Sequence, residues 1–191
     1  MLNTHTLDDF INALLRLDAR LKALNADVLK VRVIGGFAMM FHGVREEGLT
    51  IDIDSLTPAF DQSVLDEIKA VGNELGLYDD WLNTDCATLD GFLNDLAPQI
   101  TWLDTDYPLE RIDLKVADLE GLARSKAKAV HDGGLVPRSA DKKDLLSLLN
   151  TMGVSDLRSL ESSDSLSYIR TDYPRTFAFL AEKADWSAGL S

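Results

Sequence analysis

The stretch IGGFAMMFHGVREEGLTIDIDSL, Ile34 to Leu56, decides how this chain reads. It opens where VLKVRVI, Val28 to Ile34, runs into Gly35-Gly36. That run largely alternates and is rich in β-branched residues, so it predicts a strand. Phe37 to His42 is apolar and closes at Gly43, which predicts a short helix. Thr50 to Leu56 predicts a second strand, with its isoleucines facing one way and Asp52 and Asp54 the other. Two carboxylates on one face of a strand repel each other unless a cation lies between them. A hard divalent ion accepts oxygen ligands and shares its coordination with substrate phosphates. The plain alternative is an edge strand with a solvated acidic face. Gly35-Gly36 alters that balance, because glycines at a strand–helix junction let backbone approach a ligand and N–H groups at a helix start face an anion. Alone, the glycine pair would be a tight turn.

Outward from this stretch, Leu7, Phe10, Ile11, Leu14, Leu15, Leu21 and Leu24 fall on one helical face, and Thr6 is placed to cap it. Val64, Leu65, Ile68, Val71 and Leu75 define another helix. Gln99–Leu103 and Arg111–Val116 predict two strands parted by a turn at Tyr107-Pro108. Helices follow over about 118–131 and 139–152, with a loop from Gly133 to Pro137 and one or two short helices to the end. Strands that give way to a run of helices predict an α+β (mixed α/β) class. The expected architecture is a mixed sheet flanked by helices over residues 1–117, with a helical C-terminal part, 118–191, packed on it.

The 191 residues suit one domain with a helical extension. No apolar stretch approaches the roughly 20 residues that span a bilayer, and MLNTHTLDDF lacks the pattern of a secretory signal. Cys86 is the single cysteine, which excludes an internal disulfide and makes a reducing, cytoplasmic home the default. The net charge of −13 is concentrated: Asp61–Glu110 holds 12 acids against Lys69 alone, while Arg111–Lys143 holds 8 bases against 5 acids. That distribution argues against a whole-protein nucleic-acid footprint and leaves room for a local phosphate pocket. The acidic segment reads as a solvated face, or as one turned to a basic partner.

Taken together, Ile34–Leu56 resembles the nucleotidyltransferase superfamily, the DNA polymerase β-like fold. Its pattern is an apolar residue, Gly-Gly or Gly-Ser, a short helix, then Asp-apolar-Asp. Within it the chain looks most like the AbiEii/MenT-type group of toxin-like nucleotidyltransferases, through Gly35-Gly36, Ala38 and Thr50-Ile51-Asp52. Gly48 stands where that group carries an arginine; Arg45 lies earlier and would reach the site from the loop. Fifteen residues separate Gly36 from Asp52, slightly long for the pattern, and Ser55 replaces an apolar residue. GLYDDWLN, Gly76 to Asn83, is similar to the uncharacterised branch of the group and offers no mechanism by itself; a core-anchoring Trp81 accounts for it. The group's second half is matched by LEGLARSKAKA, Leu119–Ala129, and ADKKDLLSLL, Ala140–Leu149.

The resemblance implies a magnesium- (or manganese-) dependent transfer of a nucleoside monophosphate from an NTP to a hydroxyl or phosphate on RNA, protein or a small molecule. Asp52 and Asp54 would hold the metal, and Gly35, Gly36, Arg45 and Lys126 would contact the nucleotide. Lys126 falls on the apolar face of its helix with Leu119 and Leu122, where phosphate contact competes with plain snorkelling. Asp144 would orient Lys126 or help bind nucleotide, or else sit at the edge of its helix's apolar face. Asp141 is in a first turn, where the helix dipole suffices. Asp113 on RIDLKV is either the third carboxylate that activates the attacking hydroxyl or an ordinary strand residue. His42 either lines the site or, as a helix-end histidine, has a structural role. The same resemblance extends to toxin–antitoxin and phage-defence toxins, and so to an antitoxin protein as partner. A catalytically silent nucleotide- or partner-binding protein on the same fold is the alternative; a glycosyltransferase using Asp-x-Asp would need a larger domain.

Overall fold

Thr6 starts the first helix as its sequence suggests. Its hydroxyl accepts from the Asp9 N–H while the Asp9 carboxylate accepts from the Thr6 N–H, a reciprocal capping box. Helix α1, Leu7–Ala23, buries Phe10, Leu14, Leu17 and Leu21 and leaves Leu15 exposed, as is its C-cap residue Leu24. A computed structural model of the chain describes residues 5–45, 50–133, 139–183 and Trp186. The chain forms two units, Met1–Asp118 and Leu119–Ser191, divided one residue from the expected boundary. The fold is mixed α+β, a five-stranded mixed sheet flanked by helices.

In the first unit, β1 (Leu29–Ile34) leads into α2 (Gly35–Phe41), β2 (Ile53–Ser55), α3 (Gln62–Leu75) and β3 (Leu82–Asn83), then short 3-10 and π turns between Asp85 and Gln99, and finally β4 (Trp102–Asp104) and β5 (Ile112–Ala117). The sheet order is β3-β2-β1-β5-β4. β1 runs parallel to β5 and antiparallel to β2, and β2 runs parallel to β3. One face is apolar: Val31, Val33, Ile53, Ile112, Leu114 and Val116 are all buried. The other carries Lys30, Arg32, Asp54, Asp113 and Lys115, since side chains alternate along each strand. Asp18 is buried on α1 yet satisfied, because its Oδ1 accepts from the Arg111 N–H at 2.6 Å. Arg20 joins α1 to α3 through Glu67, at 2.9 Å, and Glu74.

Two sequence readings are corrected here. The strand expected over Thr50–Leu56 is regular only over Ile53–Ser55, and Ile51 is half-buried rather than in the core. Thr50 pairs instead with His5 in an isolated bridge, and Asp52 precedes the strand. The second correction is β3, which the sequence did not announce. A two-residue strand has no room for an alternating pattern. It forms because Trp81 is fully buried and donates its indole N–H to the Ile68 carbonyl at 2.8 Å. The Trp81 carbonyl then accepts from Ile53 N–H at 2.6 Å, which starts the β2–β3 pairing. Gly72 makes this close approach feasible, since a Cβ there would lie 2.6 Å from the Tyr78 carbonyl oxygen.

The second unit is helical among its described residues: α4 (Leu119–Asp132), α5 (Ser139–Thr151), α6 (Leu157–Glu161), α7 (Tyr168–Thr171) and α8 (Pro174–Ala181). Leu122, Ala123, Ala127 and Val130 of α4 and Leu145, Leu148 and Leu149 of α5 supply its core. Thr176 is buried and donates to the Ala127 carbonyl at 2.6 Å, tying α8 to α4. Of the loop expected at Gly133–Pro137, Gly134–Pro137 lie outside the described residues, as does Gly48.

Candidate functional site

The antiparallel register of β1 and β2 sets Asp54 opposite Ile34, the last residue before Gly35-Gly36. The carboxylate and the turn therefore meet at one end of two paired strands. Gly35 has φ +70°, the left-handed region that a side chain disfavours. A Cβ on Gly35 would collide with Asp54 Oδ2 and lie 3.2 Å from its Cγ. A Cβ on Gly36 would strike the Thr50 hydroxyl and lie 2.7 Å from Arg45 Nη1. The structure thus brings Gly35, Gly36, Arg45, Thr50 and Asp54 together. Arg45 arrives from the loop after α2, where its N–H donates to the Met39 carbonyl at 3.2 Å.

Asp52 lies beside this group, partly withdrawn from water. Burial is the main cause that raises its carboxyl above the ordinary range, and the nearby Asp80 and Asp85 charges add to it. Hydrogen bonds from Asn83, at 3.2 Å, and from Thr50 oppose the rise. Asn83, Asp80 and Asp85 were not singled out in the sequence. The one signal, GLYDDWLN, covers Asp80 and Asn83 but not Asp85; its role is physical, since Trp81 anchors the segment and Asn83 meets Asp52.

Cys86 is also close. Its thiol donates weakly to the Ser55 carbonyl at 3.4 Å, and burial, with the Asp54 charge, pushes its pKa up to about 12.

Asp113 is on the same sheet face as Asp54 but is not brought to it. It pairs with Lys30 in register, whereas Asp54 pairs with Ile34. The four-residue offset is roughly 13 Å along the strand. Arg32 binds Asp113 instead, with Nη2 2.6 Å from Oδ2 and Nη1 2.7 Å from the backbone oxygen. His42 is held by its Nε2, 2.8 Å from the Ala117 carbonyl, a structural tie at the end of α2.

In the second unit, Lys126 Nζ lies 2.8 Å from both Asp141 Oδ1 and Asp144 Oδ2. Burial alone would lower the Lys126 pKa; the two carboxylates outweigh it and hold it above the usual range. Asp144 is placed beside Lys126 as expected. Asp141, assigned above to the helix dipole, is an ion-pair partner as well, because its first-turn position faces α4 at the same level.

Among the described residues, no group of three or more His, Cys, Asp or Glu side chains is arranged to hold a metal ion. None of their helices is long and apolar enough to cross a membrane. No protein-family model, curated protein or solved structure matches the chain.

Proposed function

We propose that this chain is a divalent-metal-dependent nucleotidyltransferase, moving a nucleoside monophosphate from an NTP to a hydroxyl or phosphate acceptor. The observation that carries the reading is the placement of Asp54 against Gly35, with Arg45 and Thr50 over Gly36. A carboxylate and a guanidinium converge there on a glycine turn. The donor set fits a hard ion, since Asp52 and Asp54 offer oxygen only and Asp52 already stands in the field of Asp80 and Asp85. Mg²⁺ or Mn²⁺ usually keeps waters and substrate phosphates as its remaining ligands, so two protein carboxylates suffice. The ion, when bound, would neutralise triphosphate charge.

Arg45 would bind and orient phosphate oxygens at Gly36, and the Gly35-Gly36 backbone would approach them. The acceptor would be RNA, a protein or a small molecule, and a cytoplasmic toxin held by an antitoxin is the matching biological role.

One observation favours the alternative of a silent nucleotide- or partner-binding protein. The three remaining expected catalytic groups, Asp113, Lys126 and Asp144, are all engaged in ion pairs.

Calorimetry of each NTP, with and without Mg²⁺, on wild type and on Asp52→Asn/Asp54→Asn tests the reading. Metal-dependent binding that disappears in the double variant supports it, and NTP-dependent labelling of an acceptor separates enzyme from silent binder. Absence of NTP binding under every metal condition overturns both nucleotide readings and leaves partner binding.

A further inference from the structure

Resting on that reading, we infer that Asn83 is the positioning residue of the metal site, fixing the Asp52 carboxylate through its side-chain amide. Asn83 is buried and pairs in parallel register with Asp54, so it stands beside one carboxylate while bonding to the other. Its Oδ1 accepts from the Asp85 N–H at 3.0 Å. A backbone N–H needs an acceptor, so this contact settles which end of the amide is oxygen. The NH₂ end therefore faces Asp52 Oδ2, at 3.2 Å, and approaches the Asp80 carbonyl at 3.4 Å.

Asp52 precedes the regular part of β2, so its backbone is not held by the sheet on both sides. The Asn83 amide supplies the missing constraint. It holds the Oδ2 oxygen at 3.2 Å, beside a second hydrogen bond from Thr50. Trp81, fully buried two residues earlier, fixes where Asn83 can stand. The amide is also neutral in a neighbourhood that holds Asp52, Asp54, Asp80 and Asp85.

The test is Mn²⁺ binding with ATP, followed by electron paramagnetic resonance, on wild type, Asp52→Asn, Asn83→Ala and Asn83→Asp. Asn83→Asp keeps the shape and the acceptor for the Asp85 N–H, but replaces the donor to Asp52 with an acceptor oxygen and adds a negative charge. Outer-shell partners of metal ligands typically carry 10- to 100-fold in affinity, so both Asn83 variants are expected to weaken Mn²⁺ by about tenfold or more. ATP binding without metal should not change, a separation that general loss of structure would not give. If wild type and Asp52→Asn differ but both Asn83 variants bind within about twofold of wild type, the inference falls and the metal site stands. Tighter Mn²⁺ binding by Asn83→Asp also overturns it, because charge rather than orientation would then set affinity. If wild type shows no Mn²⁺-dependent ATP binding, the nucleotidyltransferase reading falls and takes the inference with it. A measurement on the unaltered protein guards against misfolded variants. The Asn83 side-chain amide resonance should move on addition of Mg²⁺ with ATP and stay put with ATP alone; no movement in either case refutes the role.

Discussion

Gly35 and Asp54 approach so closely that the glycine's missing side chain is the space the Asp54 carboxylate occupies. Ile34 and Asp54 are register partners, so the contact follows directly from the pairing of β1 with β2.

Gly35→Ala is therefore expected to fail in two ways. The positive φ costs about 1 kcal/mol for a residue with a Cβ, and the clash must push Asp54 aside. The variant should fold with a lowered melting temperature and lose metal-dependent NTP binding by at least tenfold. Thermal unfolding and calorimetry together check it, and unchanged binding would show that Asp54 does not need the turn.

The Asp52 carboxyl is raised above 3.8 in the fold, chiefly by burial. The folded metal-free protein thus holds this proton more tightly than the unfolded chain does. Its contribution to stability is present at pH below the ordinary carboxylate value and is lost as pH rises through the folded value. Asp52→Asn should flatten that decline and leave the metal-free protein more stable than wild type at pH 7. Urea unfolding of the two proteins from pH 4 to 7 measures it. Equal slopes would refute the assignment.

Lys126→Met should strand Asp141 and Asp144 without their shared cation. Removing one member of a buried ion pair costs about 3–5 kcal/mol, so denaturant unfolding should show a loss at the lower end of that range, since none of the three side chains is more than 17% exposed but none is sealed. The raised Lys126 pKa places the pH limit of this contribution in the alkaline range. It is fully present below 10.5 and fades as pH climbs through the higher folded value. Wild-type stability at pH 9 that already matches Lys126→Met would contradict the ion-pair role.

Cys86 is the chain's single cysteine and is buried, with a pKa of about 12. Thiolate is the reactive form, so iodoacetamide at pH 8 should leave the native protein unlabelled for hours and label it rapidly in urea. Fast native labelling, read by mass spectrometry, would mean that the Ser55–Cys86 contact opens.

The sequence alone determined the class and most elements, because hydrophobic period and punctuation are local. Thr6 with Asp9, the alternation of Val28–Ile34 and the glycines after it each state their structure within a few residues. It also pointed to Asp54 beside Gly35-Gly36, through the spacing of strand, turn and strand, although Asp52 precedes the strand it was expected to share. Tertiary structure decided what those groups touch. That Asn83 reaches Asp52 depends on a strand of two residues, held by Trp81 against Ile68 and permitted by Gly72. That Asp113 binds Arg32 rather than joining Asp54 depends on register between β1 and β5, and a shift of four residues leaves the alternation pattern unchanged. Asp141 and Asp144 share Lys126 because α4 and α5 pack at one level, which neither helix's own periodicity states. Periodicity tells which side of an element faces inward; only the packed chain tells how far along its neighbour it sits.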